Sequence, residues 1–290
     1  INNKIEEIIS DKRLTSVILL FAFSFVLLFL ILIFSRTPSG GEVEPSVIVQ
    51  NLTDSFKNVE IEAEAALVWN VKRSEKIFGK NENNILPLAS ITKILTAVTA
   101  LETVPDSTII TIRKQFLEQE GDVGLVEGES WNLKNLLNLS LVASSNDAAN
   151  AIASVAGVIY SGANNYDIGR EEFIKQMNKV AERIGMNNST FYNETGLDLN
   201  KNKSGAYSSA LDVAKLFSYT LNNHSNLILP TRSDSMTISS VSNIVHKVEN
   251  TNSSINEIPG IIASKTGFTD LSGGNLAIIM DPGIGDPVVI

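Results

Sequence analysis

Ser90 and Lys93 stand three residues apart in "LPLASITKILTAVTALE", residues 86–102. The spacing of apolar residues, with Pro87 near the start, predicts one helix over this stretch, with Thr92, Thr96, Thr99 and Thr103 as its polar side. Two residues so spaced project about 60° apart on a helix, and their side chains can meet. The positions three and four away from Lys93 hold Ala89, Ser90, Thr96 and Ala97, none of them acidic, so the usual surface ion pair is missing. An ammonium group flanked by alanine methyls is poorly hydrated, and desolvation favours the neutral amine. A neutral amine one turn from a hydroxyl is a general base beside a nucleophile. Ser90 also lies at the expected helix start, where free N–H groups favour developing negative charge. Ser-x-x-Lys alone is weak, with on the order of one chance match expected in a chain this long from ordinary residue frequencies.

Two further motifs strengthen it. Ser-x-Asn occurs at Ser130, Ser144 and Ser254. Ser130 precedes a helical run and reads as an N-cap, and Ser254 lies in a polar loop. Ser144-Ser145-Asn146 sits between two apolar helical runs, where a tight turn can aim a hydroxyl and an amide into a cleft. Lys-[Ser/Thr]-Gly occurs at Lys203, in polar loop sequence, and at Lys265, after the apolar run "IPGIIAS". On a strand beside a cleft, Lys265 offers a cation, Thr266 a hydroxyl, and Gly267 close backbone approach to a ligand. A second cation there also makes Lys93 harder to protonate.

The elements that must position these groups follow from hydrophobic periodicity and turn residues. "AALVWNV" and "SEKIFG" predict a hairpin around Lys72-Arg73. "STIITI" predicts a strand; "NLKNLLNLSLVA", "DAANAIASVAG", "REEFIKQMNKVAERIG" and "SSALDVAKLFSYTL" predict helices, the third ending at Gly185. "PGIIASKTG", "GNLAIIM" and "PVVI" predict consecutive strands. Strands at both ends with helices between them give an α+β fold: an antiparallel β-sheet flanked by helices, with a helical block inserted.

Composition excludes several chemistries. The 290 residues carry no cysteine, so no disulfide framework, thiol nucleophile or thiolate site exists. A net charge of -9 argues against a nucleic-acid partner. The two histidines, His224 and His246, read as surface residues and leave little material for a metal site or a histidine triad. No metal and no cofactor is expected.

Residues 14–34, "LTSVILLFAFSFVLLFLILIF", hold no charge and are long enough to cross a bilayer core of ~30 Å. The following "SRTPSGGEVEPS" lacks the small-x-small pattern of a cleaved leader, which favours an uncleaved anchor. Lys4, Lys12 and Arg13 precede the span, so residues 1–13 are expected in the cytoplasm and everything after the span outside. Residues 35–60 read as a linker. The first residue, Ile, and the last residues, "GDPVVI", read as a fragment open at both ends.

Serine–lysine, Ser-x-Asn and Lys-Thr-Gly in that order resemble the signature of penicillin-binding proteins and class A β-lactamases. The wider text is similar to the low-molecular-weight D-alanyl-D-alanine carboxypeptidases, in "AALVWNVKRSEKIFGKNENNILPLASITKILTAVTALE", "VASSNDAANAIA", "FYNETGLD", "YSSALDVAKL" and "KTGFTDLSGGNLA". The resemblance covers about residues 63–290 and makes residues 61–290 the expected catalytic domain, of β-lactamase/DD-peptidase-like fold. It implies Ser90 as the acylated nucleophile, Lys93 as its base, and Ser144 as the relay to the departing D-alanine. Asn146 is implied to hold substrate, Lys265 with Thr266 to bind its terminal carboxylate, and Gly267 to allow close approach. The N–H groups of Ser90 and Phe268 are the implied oxyanion hole. The implied partners are a peptidoglycan stem peptide and β-lactams as covalent inhibitors; the uncharged run at 14–34 adds the bacterial cell membrane, through a single-pass anchor.

Three departures stand out. The anchor is N-terminal rather than C-terminal. Glu194 replaces the proline of the family's "NPTGL". The family's sheet is completed by a strand and helix beyond residue 290, so the domain is expected to be C-terminally incomplete. Alternatives within the resemblance are a D,D-endopeptidase with the same motifs, a β-lactamase suggested by "ETGLD", and a wall-binding protein without activity. Asp198, where a β-lactamase carries asparagine, argues against the second. An intact Lys93 argues against the third.

Overall fold

The structure, a computed structural model, describes residue 56 and residues 59–118, 120–121, 124–283 and 285–290. The expected tail at 1–13, the anchor at 14–34 and most of the linker at 35–60 lie outside the described residues. Among the described residues no helix is long and apolar enough to cross a membrane.

The expected first hairpin forms: β1 (Ala66–Asn70) pairs antiparallel with β2 (Glu75–Lys80), with a bulge at Val68/Trp69. The three late strands are β10 (Ile261–Thr269), β11 (Gly273–Met280) and β12 (Val288–Val289). Together they make an antiparallel sheet in the order β10-β11-β12-β1-β2. The strand bearing Lys265 is thus an edge strand, with one side of its backbone free of a neighbouring strand.

The helices come from the middle of the chain: α1 (Thr92–Thr103), α2 (Leu133–Val142), α3 (Asn146–Ser161), α4 (Tyr166–Arg183) and α5 (Ala210–Asn223). A four-residue α6 (Ser225–Ile228) follows. The fold is therefore α+β, with antiparallel sheets and helices. Helices α3 and α4 pack backbone to backbone, since a Cβ built on Gly157 would stand 1.9 Å from the carbonyl oxygen of Gly169. Trp131, Phe116, Phe173, Phe191 and Phe217 fill the core between the elements. Short strands tie the helices together: β3 (Leu86–Pro87) and β6 (Thr190–Phe191) with β7 (Ala206–Ser208), and β4 (Ile109–Thr111) with β5 (Ser130–Asn132).

Four expectations are corrected. The helix expected across residues 86–102 begins only at Thr92. Pro87 disfavours helical backbone at Leu86, and both residues instead form β3. Ala89 at φ 49 then breaks the path, and residues 89–91 make one 3-10 turn. Thr92, Thr96 and Thr99, expected on a polar side, are buried, because α1 runs through the centre of the domain. Ser130 does not cap α2. It lies in β5, and Asn132 is the cap, its Oδ1 accepting from the Asn135 N–H at 2.8 Å. His246 is not a surface residue. It is buried beside Trp131, 2.7 Å from Glu129 Oε1, on β9 (Val245–Glu249) of a hairpin with β8 (Ser235–Ser239) that periodicity did not reveal.

Candidate active site

Ser90 sits in the 3-10 turn at the head of α1, after the left-handed Ala89. Lys93, on the first turn of α1, is wholly buried. Its Nζ lies 2.7 Å from Ser90 Oγ and donates to the carbonyl of Thr195 at 3.0 Å. Burial first, and the charge of Lys265 second, hold the Lys93 amine well below the ordinary lysine range, while Glu194 pulls the other way.

Ser144 occupies the turn between α2 and α3 with φ 59, a strained conformation for a residue with a side chain. Ser145 caps α3, its Oγ accepting from the Ala148 N–H at 3.1 Å. Asn146 is the first residue of α3. Its Nδ2 donates to the Glu120 carbonyl at 2.5 Å, and its buried Oδ1 has no partner among the described residues.

Strand β10 joins the two serines. Lys265 Nζ donates to Ser144 Oγ and to the carbonyl of Thr266, both at 2.8 Å. Burial alone lowers Lys265 to about 7. Gly267 lies against the serine turn: a Cβ there would stand 2.8 Å from Ser90 N and 3.0 Å from Ala89 Cβ. Ser264 N–H points away from the sheet, donating to Thr231 Oγ1 at 3.0 Å. In an antiparallel ladder residues two and four further on share that direction, so the N–H groups of Thr266 and Phe268 face the open edge. The Phe268 ring is 72% exposed.

The structure therefore brings Ser90, Lys93, Ser144, Lys265 and Gly267 together, with Thr266 beside them on β10 and Phe268 exposed further along the strand; Asn146, two residues after Ser144, has its amide nitrogen on the Glu120 carbonyl instead. The other copies of the short motifs are engaged elsewhere. Ser130 Oγ is 3.0 Å from Thr111 Oγ1, the Ser254 N–H donates to Asn252 Oδ1 at 3.1 Å, and Lys203 Nζ lies 3.8 Å above the Tyr192 ring.

Sequence reasoning missed the turn at residues 193–196. Asn193 Oδ1 accepts from the Gly196 N–H at 2.7 Å, and Gly196, at φ +81, approaches Ala89 so closely that a Cβ would stand 1.9 Å from its carbonyl oxygen. Asparagine followed three residues later by glycine was the available signal. It also missed Thr251, whose Oγ1 is 2.5 Å from Thr266 Oγ1 and whose N–H donates to the Val142 carbonyl; no local pattern marks such a residue. A hydroxyl beside a dry neutral amine, with N–H groups converging near it and a buried cation beyond, can perform acyl transfer through a covalent intermediate.

Comparison with known proteins agrees with this geometry. The family model described as D-alanyl-D-alanine carboxypeptidase matches residues 51–281. The D-alanyl-D-alanine carboxypeptidase DacF of Bacillus subtilis (strain 168) is 30% identical over 214 residues, covering 72% of this chain and 51% of that protein. A D-alanyl-D-alanine endopeptidase of Escherichia coli (strain K12) is 30% identical over 222 residues, 74% of this chain and 66% of that one. The chain thus spans about half the length of the first of these relatives. The Streptomyces K15 DD-transpeptidase shares the fold, with a TM-score of 0.71 at 23% identity over 80% of this chain and 89% of that one. The chain belongs to the D-alanyl-D-alanine carboxypeptidase family.

Proposed function

We propose that this chain is a serine-type D-Ala-D-Ala carboxypeptidase that removes the terminal D-alanine from peptidoglycan stem peptides. The observation that carries the reading is the buried Lys93 amine 2.7 Å from Ser90 Oγ. A neutral amine there takes the hydroxyl proton as Oγ attacks the carbonyl carbon of the penultimate residue. The resulting oxyanion is met by the N–H groups of Ser90 and Phe268. Ser144, hydrogen-bonded to Lys265, gives its hydroxyl proton to the departing D-alanine nitrogen as the C–N bond breaks and regains a proton from the one Lys93 took, so both groups end as they began. Water then hydrolyses the ester on Ser90. Lys265, the Thr266 hydroxyl and the Asn146 amide bind the substrate, its terminal carboxylate on Lys265. β-Lactams, which carry the same carboxylate beside a strained amide, acylate Ser90 and stay bound.

The test is incubation with a pentapeptide ending in D-Ala-D-Ala. Free D-alanine and a single penicillin adduct on the peptide containing Ser90 are expected. An adduct elsewhere, or none, refutes the reading. A second reading, cleavage of D-alanyl cross-links, is favoured by the similarity to the endopeptidase of Escherichia coli; cross-linked dimer as substrate separates the two. The deacylating glutamate of a β-lactamase has no counterpart in Glu194, which is buried and ion-paired to Arg170.

The same proposal places residues 1–13 in the cytoplasm, a single-pass anchor at 14–34, a linker at 35–60 and the catalytic domain, residues 61–290, on the outer side of the bacterial cell membrane. The uncharged run and its basic leading flank support it. Protease added to intact cells is expected to reach the domain but not the tail. Release of the protein without detergent refutes the anchor.

A further inference from the structure

Glu194, the residue in "FYNETGLD" that departs from the resembling sequences, is fully buried. Its Oε2 accepts from Arg170 Nε of α4 at 2.8 Å, and its Oε1 has no partner among the described residues. A buried carboxylate so incompletely bonded is costly to keep. It belongs to the turn that touches the Lys93 helix. The carbonyl of Glu194 accepts from Thr96 Oγ1 at 2.7 Å, and the carbonyl of Thr195 accepts from Lys93 Nζ at 3.0 Å.

We propose that Glu194 is a positioning residue for Lys93: anchored by Arg170, it holds the Thr195 carbonyl against the amine and supplies the negative charge that opposes Lys265. The inference rests on Lys93 being the base for Ser90. Burial and Lys265 favour the neutral amine, but an amine pushed too far down is a weak base, and catalysis is best when the base titrates near the working pH. Glu194 acts in the opposite direction to both. Lys265 and Glu194 are the charges that act on Lys93. Helix α1 carries no other charge before Glu102, and the acid on α3 is Asp147, in its first turn. On α5, Asp212 is engaged by Lys215 Nζ at 2.9 Å and by the Asn188 N–H at 2.6 Å. From α4, Arg170 is the cation on Glu194 itself.

The experiment is the pH profile of Ser90 acylation by a fluorescent penicillin in wild type and Glu194→Gln, with folding followed by circular dichroism. Glutamine keeps the shape and removes the charge. The acid limb is expected to move to lower pH, by on the order of one unit, because loss of the carboxylate charge removes an attraction that favours the protonated amine. An unmoved limb in a folded variant, whatever happens to the plateau rate or the melting temperature, reduces Glu194 to a packing residue and overturns the proposal. If Glu194→Gln fails to fold, the double variant Arg170→Gln/Glu194→Gln removes the ion pair as a unit and must still move the acid limb to lower pH, by less than the single variant because the opposing Arg170 charge goes with it. Absence of acylation in the wild type defeats the Ser90–Lys93 reading, and this inference with it.

Discussion

Gly267→Ala is the smallest change that tests how the cleft is built. The added Cβ would lie 2.8 Å from Ser90 N, 3.0 Å from Ala89 Cβ and 3.3 Å from Ile91 N. Ordinary contact begins near 3.4 Å, so strand and serine turn must part by about 0.6 Å. The obstacles are two backbone nitrogens and a methyl carbon fixed directly to the backbone, and no flexible side chain can swing away. Gly267 does not need the left-handed region, so alanine adds no backbone strain and the cost falls on the site rather than on the fold. Catalytic geometry tolerates about 0.5 Å, and a misplacement of about 1 Å is worth on the order of 10²-fold. Removing one oxyanion donor outright costs about 10²–10³-fold. Acylation by penicillin, followed in stopped flow, is therefore expected to fall on the order of 10²-fold, with a melting temperature lower by only a few degrees. Acylation at the wild-type rate in a folded Gly267→Ala protein would refute the claim that close approach of β10 to Ser90 assembles the site.

Lys93→Arg is expected to slow acylation nearly as much as Lys93→Ala, on the order of 10²–10⁴-fold, because arginine stays protonated and cannot take the Ser90 proton; near wild-type acylation by Lys93→Arg would show that the lysine is only an electrostatic element. Lys265 carries its proton only up to about 7, so kcat/KM for a carboxylate-bearing peptide is expected to fall above that pH in wild type, and Lys265→Arg should move the fall to higher pH. The same depression has a stability consequence. Between about 7 and the ordinary lysine value the unfolded chain holds more protons than the folded one, so the Lys265 contribution to stability rises with pH across that window, and denaturant titrations of wild type against Lys265→Met should show it. Thr251→Val removes the hydroxyl 2.5 Å from Thr266 Oγ1 and is expected to raise KM about 3–10-fold with kcat little changed, the size of one net hydrogen bond, measured by D-alanine release.

What was legible in the sequence was whatever its own local chemistry declares. Ser90 and Lys93 are one turn apart in sequence, and their 2.7 Å contact follows from helical spacing even though the helix starts two residues after the serine. Ser144 and Lys265 lie on elements predictable from apolar runs, but their 2.8 Å contact spans 121 residues and was reachable only through the order of the motifs. The 3-10 turn was hidden because Pro87 is equally at home at a helix start and in a short edge strand, and only the pairing with β7 decides. His246 misled because β9 buries a histidine with Val248 and exposes Val245, so its alternation does not sort apolar from polar residues. Glu194 read as a substitution in a loop, and nothing local to it shows that Arg170, 24 residues earlier, faces it.

The free edge of β10 sets how a ligand can be read. Amides at Thr266 and Phe268 point outward from the sheet, spaced two residues apart, about 7 Å. A chain laid along them is recognised by its main-chain atoms at every second residue, whatever side chains lie between. Such a surface selects for the stereochemistry and extension of its ligand more than for its composition, and variation in the ligand at positions facing away from the edge would pass unnoticed. It is also a template for any stray strand. Because β10 has only one side without a neighbouring strand, a single extended chain pairs with it at a time, and a bound ligand covers the edge that a stray strand would need.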